Sequence, residues 1–218
     1  MKLITFSLWG QSPKYLVGAL KNASLAKEIY PEWVCRFYVG QSVPTPILYQ
    51  LENMNNTQIV QRPEFGDWRG MFWRFEAANE PGVEVMISRD TDSRLNYREK
   101  FAVEEWLESD KGFHIMRDHP HHRYPVLGGM WGVKAKVIPH MKELINSFAQ
   151  ADEYGTDYKF FAEVVMPSLD QGAIMTHDEF FGGTPFPTPR HGLEFVGQVF
   201  DENDNTVPAH VSALQESL

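Results

Sequence analysis

The sequence predicts an α/β protein built on an open, mostly parallel central sheet flanked by helices. Three observations carry that expectation. Short β-rich runs alternate with helix-patterned stretches through the first half of the chain, the rhythm of strand–helix–strand units. Ser12-Pro13 and Thr45-Pro46 open two of the helical stretches, with proline where a first-turn N–H needs no partner. The 218 residues, 43% apolar and 13% aromatic, suffice for a sizeable core and exclude global disorder.

The elements follow in order. Leu3 to Phe6 reads as a buried first strand. The helix opened by Ser12-Pro13 turns Leu16, Leu20 and Ala23 inward and must stop before Pro31. Val34 to Val39 is a second strand, Thr45 to Leu51 a helix and Thr57 to Val60 a short strand. Gly70 to Ala78 reads as an aromatic-rich helix. Val83 to Ser88 is a strand that runs into Arg89-Asp90-Thr91-Asp92, followed by a helix over Glu99 to Leu107 and a strand over Phe113 to Met116. The rhythm then loosens. Gly128-Gly129-Met130-Trp131-Gly132 is a tight passage, and Ile138 to Phe148 returns to helix. Asp157 caps a helix ending at Met166-Pro167, and Ala173 to Met175 forms a late strand. Phe181 to Pro189 holds too many Gly and Pro residues for regular structure. Leu193 to Phe200 reads as a last strand before an acidic turn. With no repeat or linker in view, the expectation is a single domain over 1–218.

Charge and cysteine content narrow the function. Twenty Lys and Arg against 29 Asp and Glu give a net charge of −9, which repels a nucleic-acid backbone. Any phosphate is therefore held locally, by a few arginines or a metal ion. The lone Cys35 reads as a small core residue and fits a reducing compartment. No small-x-small cleavage site follows Met1 to Trp9, and no apolar run is long enough to span a membrane. The expected location is cytoplasmic, with no membrane partner.

Asp90-Thr91-Asp92 is the sharpest chemical signal. Two carboxylates one residue apart, just past an apolar strand, stand where open α/β folds bind ligands, and both can serve one hard cation. Arg89 and Arg94 flank them with charge suited to a diphosphate. The plainer alternative is a pair of solvated turn aspartates. His114, His119, His121 and His122 lack cysteines and a familiar ligand spacing, so zinc is not expected there. No P-loop motif is present, and Asp201 to Asn205 imitates a calcium loop but has Thr206 where glycine is required.

Longer phrases carry a resemblance. Phe72-Trp73-Arg74-Phe75, Ser88-Arg89-Asp90-Thr91-Asp92-Ser93-Arg94, Phe113 to Pro120, Gly128 to Gly132 and Phe195-Val196-Gly197-Gln198 occur in one order over most of the chain. Together the sequence resembles nucleotide-sugar glycosyltransferases of the GT-A fold, and more narrowly the small glycosyltransferase domains of large algal (chlorella) viruses and related bacterial proteins. The resemblance implies a UDP-sugar donor, Mn2+ or Mg2+, and transfer of one sugar to a glycan or other hydroxyl acceptor. A viral source would place the protein in the host cytoplasm. Residues 1–117 would form the nucleotide-binding half and 118–218 the half facing sugar and acceptor.

The resemblance also assigns residues. Phe6, Ser7 and Trp9 on the first strand would contact the nucleotide, with core packing the alternative for Phe6. Asp90 and Asp92 would hold the metal, joined by His177, with His191 the rival for that place. Asp157 would lie beside the transferred sugar, although Tyr158 and Lys159 follow it where such families often have Gln; a helix cap is the alternative. Arg74, in an apolar segment, needs a partner such as the diphosphate or Asp90, or an ordinary ion pair. Asp118, at a strand end, would bond sugar hydroxyls or cap a turn. Trp131, after Gly128-Gly129, would offer a sugar platform or simply complete a tight turn. Two other functions remain open at this point, a non-catalytic sugar-nucleotide or glycan-binding module and a metal-dependent phosphoesterase.

Overall fold

The computed structural model describes residues 1–148 and 155–218. The strands are β1 (Lys2–Leu8), β2 (Val34–Val39), β3 (Thr57–Gln61), β4 (Val85–Ser88), β5 (Phe113–Arg117), β6 (Trp131–Lys134) and β7 (Ile174–Asp178). Among the described residues they form one sheet in the order β3-β2-β1-β4-β6-β5-β7. All run parallel except β6, which is antiparallel to both β4 and β5. The chain lays β2 and β3 on one side of β1 and then returns to place β4 on the other. That reversal puts a switch point between β1 and β4, and the carboxyl ends there part to leave a crevice.

Each face of the sheet buries its own core. Helices α1 (Pro13–Ile29), α2 (Thr45–Glu52) and α3 (Tyr97–Glu108) cover one face. There Leu16, Ala19, Ala23, Val103 and Trp106 meet Ile4, Phe6 and Phe37. The 3₁₀ segment Trp68–Asn79, α4 (Met141–Ser147) and α5 (Thr156–Phe160) cover the other. Phe72, Phe75, Ile145 and Phe160 there meet Leu3, Met86, Phe113 and Trp131. Each fully buried side chain of this size contributes about 1.5–3 kcal/mol. A π turn at Phe161–Val165 leads from α5 into α6 (Met166–Ser168), and α7 (Pro208–Gln215) closes the chain.

Four expectations are corrected. Trp131 to Lys134 is a strand, too short and glycine-flanked to announce itself. Leu193 to Phe200 is a run of turns, not a strand, because its backbone is used elsewhere: Val196 N–H donates to the Asp118 carboxylate and Phe200 N–H to the Asp92 carbonyl. The helix expected from Ile138 starts at Met141, since His140 sits at φ 64°, outside the helical region. The aromatic segment winds as a 3₁₀ helix from Trp68, its first turn fixed by Asp67, whose side chain accepts from Arg69 N–H. Three residues per turn align Trp68, Met71 and Arg74 along one edge, and that edge faces the crevice.

Candidate active site

At the carboxyl ends of β1 and β4 lies a cleft of about 600 Å3, bounded by Trp9, Tyr15, Trp68, Met71, Arg74, Asp90, Asp92, Asp157, Tyr158 and Val199. Its acidic pair stands on a turn clamped from beneath by α1. Asn22 Nδ2 donates to the carbonyls of Thr91 (3.3 Å) and Ser93 (2.8 Å), and its Oδ1 accepts from Leu95 N–H. Gly18 lets the helix come that close, since a Cβ there would lie 1.9 Å from the Thr91 carbonyl oxygen.

Side-chain alternation past β4 decides which residues reach the cleft. Ser88 and Asp90 face the 3₁₀ segment, and Arg89 faces the opposite side. Arg74 donates from Nη1 to Asp90 Oδ1 (2.5 Å) and to the Arg89 carbonyl (2.8 Å), while Ser7 Oγ accepts from Arg74 N–H (3.1 Å). Lys14 Nζ lies 2.7 Å from Asp92 Oδ2. Burial raises the Asp92 carboxyl above its usual range, the Asp90 charge adds to this, and Lys14 opposes it.

Asp157 enters from α5. The cap of that helix is Gly155 at φ 87°, so the expected capping role does not hold; Asp157 lies in the first turn, 8% exposed. Its carboxyl is pushed up to about 6, chiefly by burial, with Arg74 pulling it down and Asp90 pushing it up. The glycine pair on the far wall accommodates these carboxylates. A Cβ on Gly128 would stand 2.3 Å from Asp157 Oδ2, and one on Gly129 would stand 2.0 Å from Asp90 Oδ2.

The cleft therefore unites Trp9, Arg74, Asp90, Asp92 and Asp157, with Ser7 behind them. The structure places the other expected site residues elsewhere. Phe6 is fully buried on the opposite face, stacked on Phe37 at 4.8 Å. Arg89 is 2% exposed and paired with Glu99 at 3.0 Å, a structural ion pair under α3. Arg94 ties down the acidic turn through Asp204 and the Asp201 carbonyl. Asp118 is fully buried and fully engaged: Arg98 grips both oxygens, Arg190 donates to Oδ1 and Val196 N–H to Oδ2. Trp131 is fully buried against Phe75, Phe113 and Phe161, so it offers no sugar platform. His177 is fully buried on β7, its Nδ1 2.7 Å from His114 Nε2, and its other nitrogen meets Glu105 rather than the acidic pair. His191, the rival, is exposed beside Glu194. His119, His121 and His122 gather with His210 of α7.

Lys14, Tyr15, Asn22, Trp68 and Met71 were not among the site residues expected from the sequence, and Tyr158 entered only as a departure from the family pattern. The helix-opening Ser12-Pro13 next to a strand end pointed at Lys14 and Tyr15, and a three-residue period pointed at Trp68 and Met71.

Among the described residues, no cluster of three or more His, Cys, Asp or Glu side chains is arranged to hold a metal ion. Asp90 and Asp92 nonetheless fit a Mg2+- or Mn2+-type ion. Such ions are commonly held by one or two carboxylates, with substrate phosphates and water completing the shell, and Asp90, its side chain 48% exposed, opens onto the cleft.

Neither a protein-family model nor a curated protein sequence matches the chain. Solved structures do. A glycosyltransferase involved in the glycosylation of the major capsid of PBCV-1 superposes with a TM-score of 0.54 at 18% identity, over 81% of each chain. The fold is of the GT-A type. A mannosyltransferase from Pyrobaculum calidifontis, solved with GDP-Man and Mn2+, gives a TM-score of 0.53 at 12% identity over 82% of this chain and 55% of its own. The 4-diphosphocytidyl-2C-methyl-D-erythritol synthase of Anaerococcus prevotii gives 0.51 at 11% identity over 82% and 86%. This GT-A-type fold thus serves glycosyl and nucleotidyl transfer alike. Among the described residues no helix is long and apolar enough to cross a membrane.

Proposed function

We propose that this chain is a metal-dependent glycosyltransferase that moves a sugar from a UDP-sugar to a hydroxyl on a glycan or similar acceptor. The observation that carries the reading is the convergence of Asp90, Asp92, Asp157 and Arg74 in one aromatic-walled cleft at the sheet's switch point. Three carboxylates there face two side-chain cations, Arg74 and Lys14, an excess of one negative charge that would repel a diphosphate. A divalent cation, if held by Asp90 and Asp92, would reverse that sign and supply charge neutralisation for the leaving diphosphate.

The chain's own groups supply the rest. Trp9 and Trp68 offer flat apolar surface for a nucleobase. Arg74, nearly buried, fixes the Asp90 carboxylate and the turn that carries it. Asp157 accepts the proton of the attacking acceptor hydroxyl; a carboxyl near 6 is ionised at neutral pH yet basic enough for that task. Residues 1–117 supply the nucleotide side, and Asp157, Tyr158 and Val199 the acceptor side.

The test is UDP release from a panel of UDP-sugars with Mn2+, with and without acceptor glycans. Release that requires both the metal and Asp92 supports the reading. Donor binding without release makes the chain a binding module. Turnover of simple phosphate esters makes it a phosphoesterase. Pyrophosphate release from a nucleoside triphosphate and a sugar phosphate makes it a nucleotidyltransferase, the other chemistry found on this fold.

A further inference from the structure

The two carboxylates of Asp90-Thr91-Asp92 each carry a side-chain cation, and the two partnerships are built differently. Arg74 is 5% exposed and anchored to the Arg89 carbonyl as well as to Asp90. Lys14 stands in the first turn of α1 on a flexible stem, its side chain 32% exposed. Its ammonium sits 2.7 Å from Asp92 Oδ2 and also lies over the Tyr15 ring, 5.1 Å from the centroid. The ring contact is made in the same position as the Asp92 pair and does not depend on the carboxylate. An ammonium and a divalent ion on the same small carboxylate would stand only a few ångströms apart and repel each other.

We propose that Lys14 is the built-in counter-ion of Asp92, displaced from that carboxylate when a divalent cation binds, and that it thereby sets the metal affinity of the cleft. The inference rests on the reading of Asp90 and Asp92 as a cation-binding pair. It makes Lys14 a positioning residue with two states. With no cation bound, it holds Asp92 in place and offsets the charge of the acidic pair. With the cation bound, it swings off Asp92 on its part-exposed stem.

The experiment is titration of Mn2+ alone, followed by electron paramagnetic resonance, into the wild-type chain, Lys14→Met and Lys14→Arg. Lys14→Met is expected to bind Mn2+ about tenfold more tightly, from the lost competition of a part-exposed pair and the lost repulsion. Lys14→Arg, which keeps the charge, is expected to stay near the wild-type affinity. If Lys14→Met does not fold, Lys14→Gln, which is equally uncharged and remains polar, is expected to give the same tightening. Unchanged or weaker Mn2+ binding in the uncharged variants, with the wild type still binding, overturns the role of Lys14 and leaves the metal pair standing. No Mn2+ binding in any of these chains overturns both.

Discussion

Replacing Asp157 with Asn is expected to stabilise the fold while stopping the reaction. The side chain is 8% exposed, and its carboxyl is raised from 3.8 to about 6, chiefly by burial. At neutral pH the folded chain therefore holds an ionised group that would be better solvated unfolded. A shift of about 2 pKa units corresponds to about 3 kcal/mol of lost stability. The sign follows from proton counts. Between pH 6 and 4 the folded state binds more of the proton than the unfolded state, so the wild type gains stability as pH falls through that window. Asn carries no charge and keeps an oxygen for the backbone N–H groups that Asp157 accepts from. Asp157→Asn is thus expected to exceed the wild type by up to about 3 kcal/mol at pH 7, roughly 6–12 °C in Tm for a chain of this size. The advantage should shrink to about a third by pH 4.5 and vanish below about pH 3, where both states are protonated. Turnover should fall by about 10²–10⁴, the usual worth of a positioned base, with UDP affinity nearly unchanged. Urea unfolding at pH 7 and pH 4.5, calorimetry with UDP and a turnover assay read these effects separately. Equal stability at pH 7, or a gain at pH 4.5 as large as that at pH 7, would refute the electrostatic argument. Normal turnover would remove Asp157 from the chemistry.

Asp92→Asn is expected to weaken Mn2+ binding and abolish metal-dependent turnover with the far-ultraviolet circular dichroism unchanged; near-wild-type turnover at limiting manganese would contradict the metal assignment. Asp118→Asn is expected to cost about 3 kcal/mol in chemical denaturation, because Arg98 and Arg190 keep their buried charges while the carboxylate that joined them loses its own. Calorimetry should find its UDP affinity intact. His114 and His177 both have depressed pKa values, mainly through burial. As pH falls below 6.5 the unfolded chain takes up protons that the folded chain refuses, so stability should drop by up to ~1.4 kcal/mol per pH unit for each histidine. Replacing His177 with Gln should flatten the slope seen in urea titrations between pH 6.5 and 5.

Much of the sheet was legible because its strands are short, apolar and bounded by helix-opening or turn residues. Val34–Val39 and Phe113–Arg117 announce themselves in that way. Trp131–Lys134 does not, since four residues beside two glycines read equally well as a turn. Its strand status comes from pairing with both β4 and β5, and that is a tertiary fact. Phe195 and Val196 misled in the opposite direction. Their apolar character reflects burial, but the N–H that a ladder would need is committed to Asp118.

The candidate site divides along the same line. Asp90 and Asp92 were readable because a carboxylate pair past a strand end has a local signature. Arg89 shows how far that signature goes: adjacency in sequence suggested a shared role, yet the alternation of side chains past β4 sends it to the other face, where Glu99 holds it. That separation was available from period-two reasoning alone. The partners of the acidic pair were not. Lys14 meets Asp92 across 78 positions of sequence, Gly129 abuts Asp90 across 39, and Asp157 approaches Gly128 from a helix whose cap is a glycine. In each case a residue ordinary in its own segment becomes specific through what the fold sets against it. For Gly128-Gly129 the missing side chains are the specific feature, because any Cβ there would occupy the space of the Asp157 and Asp90 oxygens. The same logic limits what Lys14 can be: a charge so close to a proposed ligand carboxylate is either a competitor for the cation or evidence that no cation binds, and Mn2+ titration of the uncharged variants distinguishes the two.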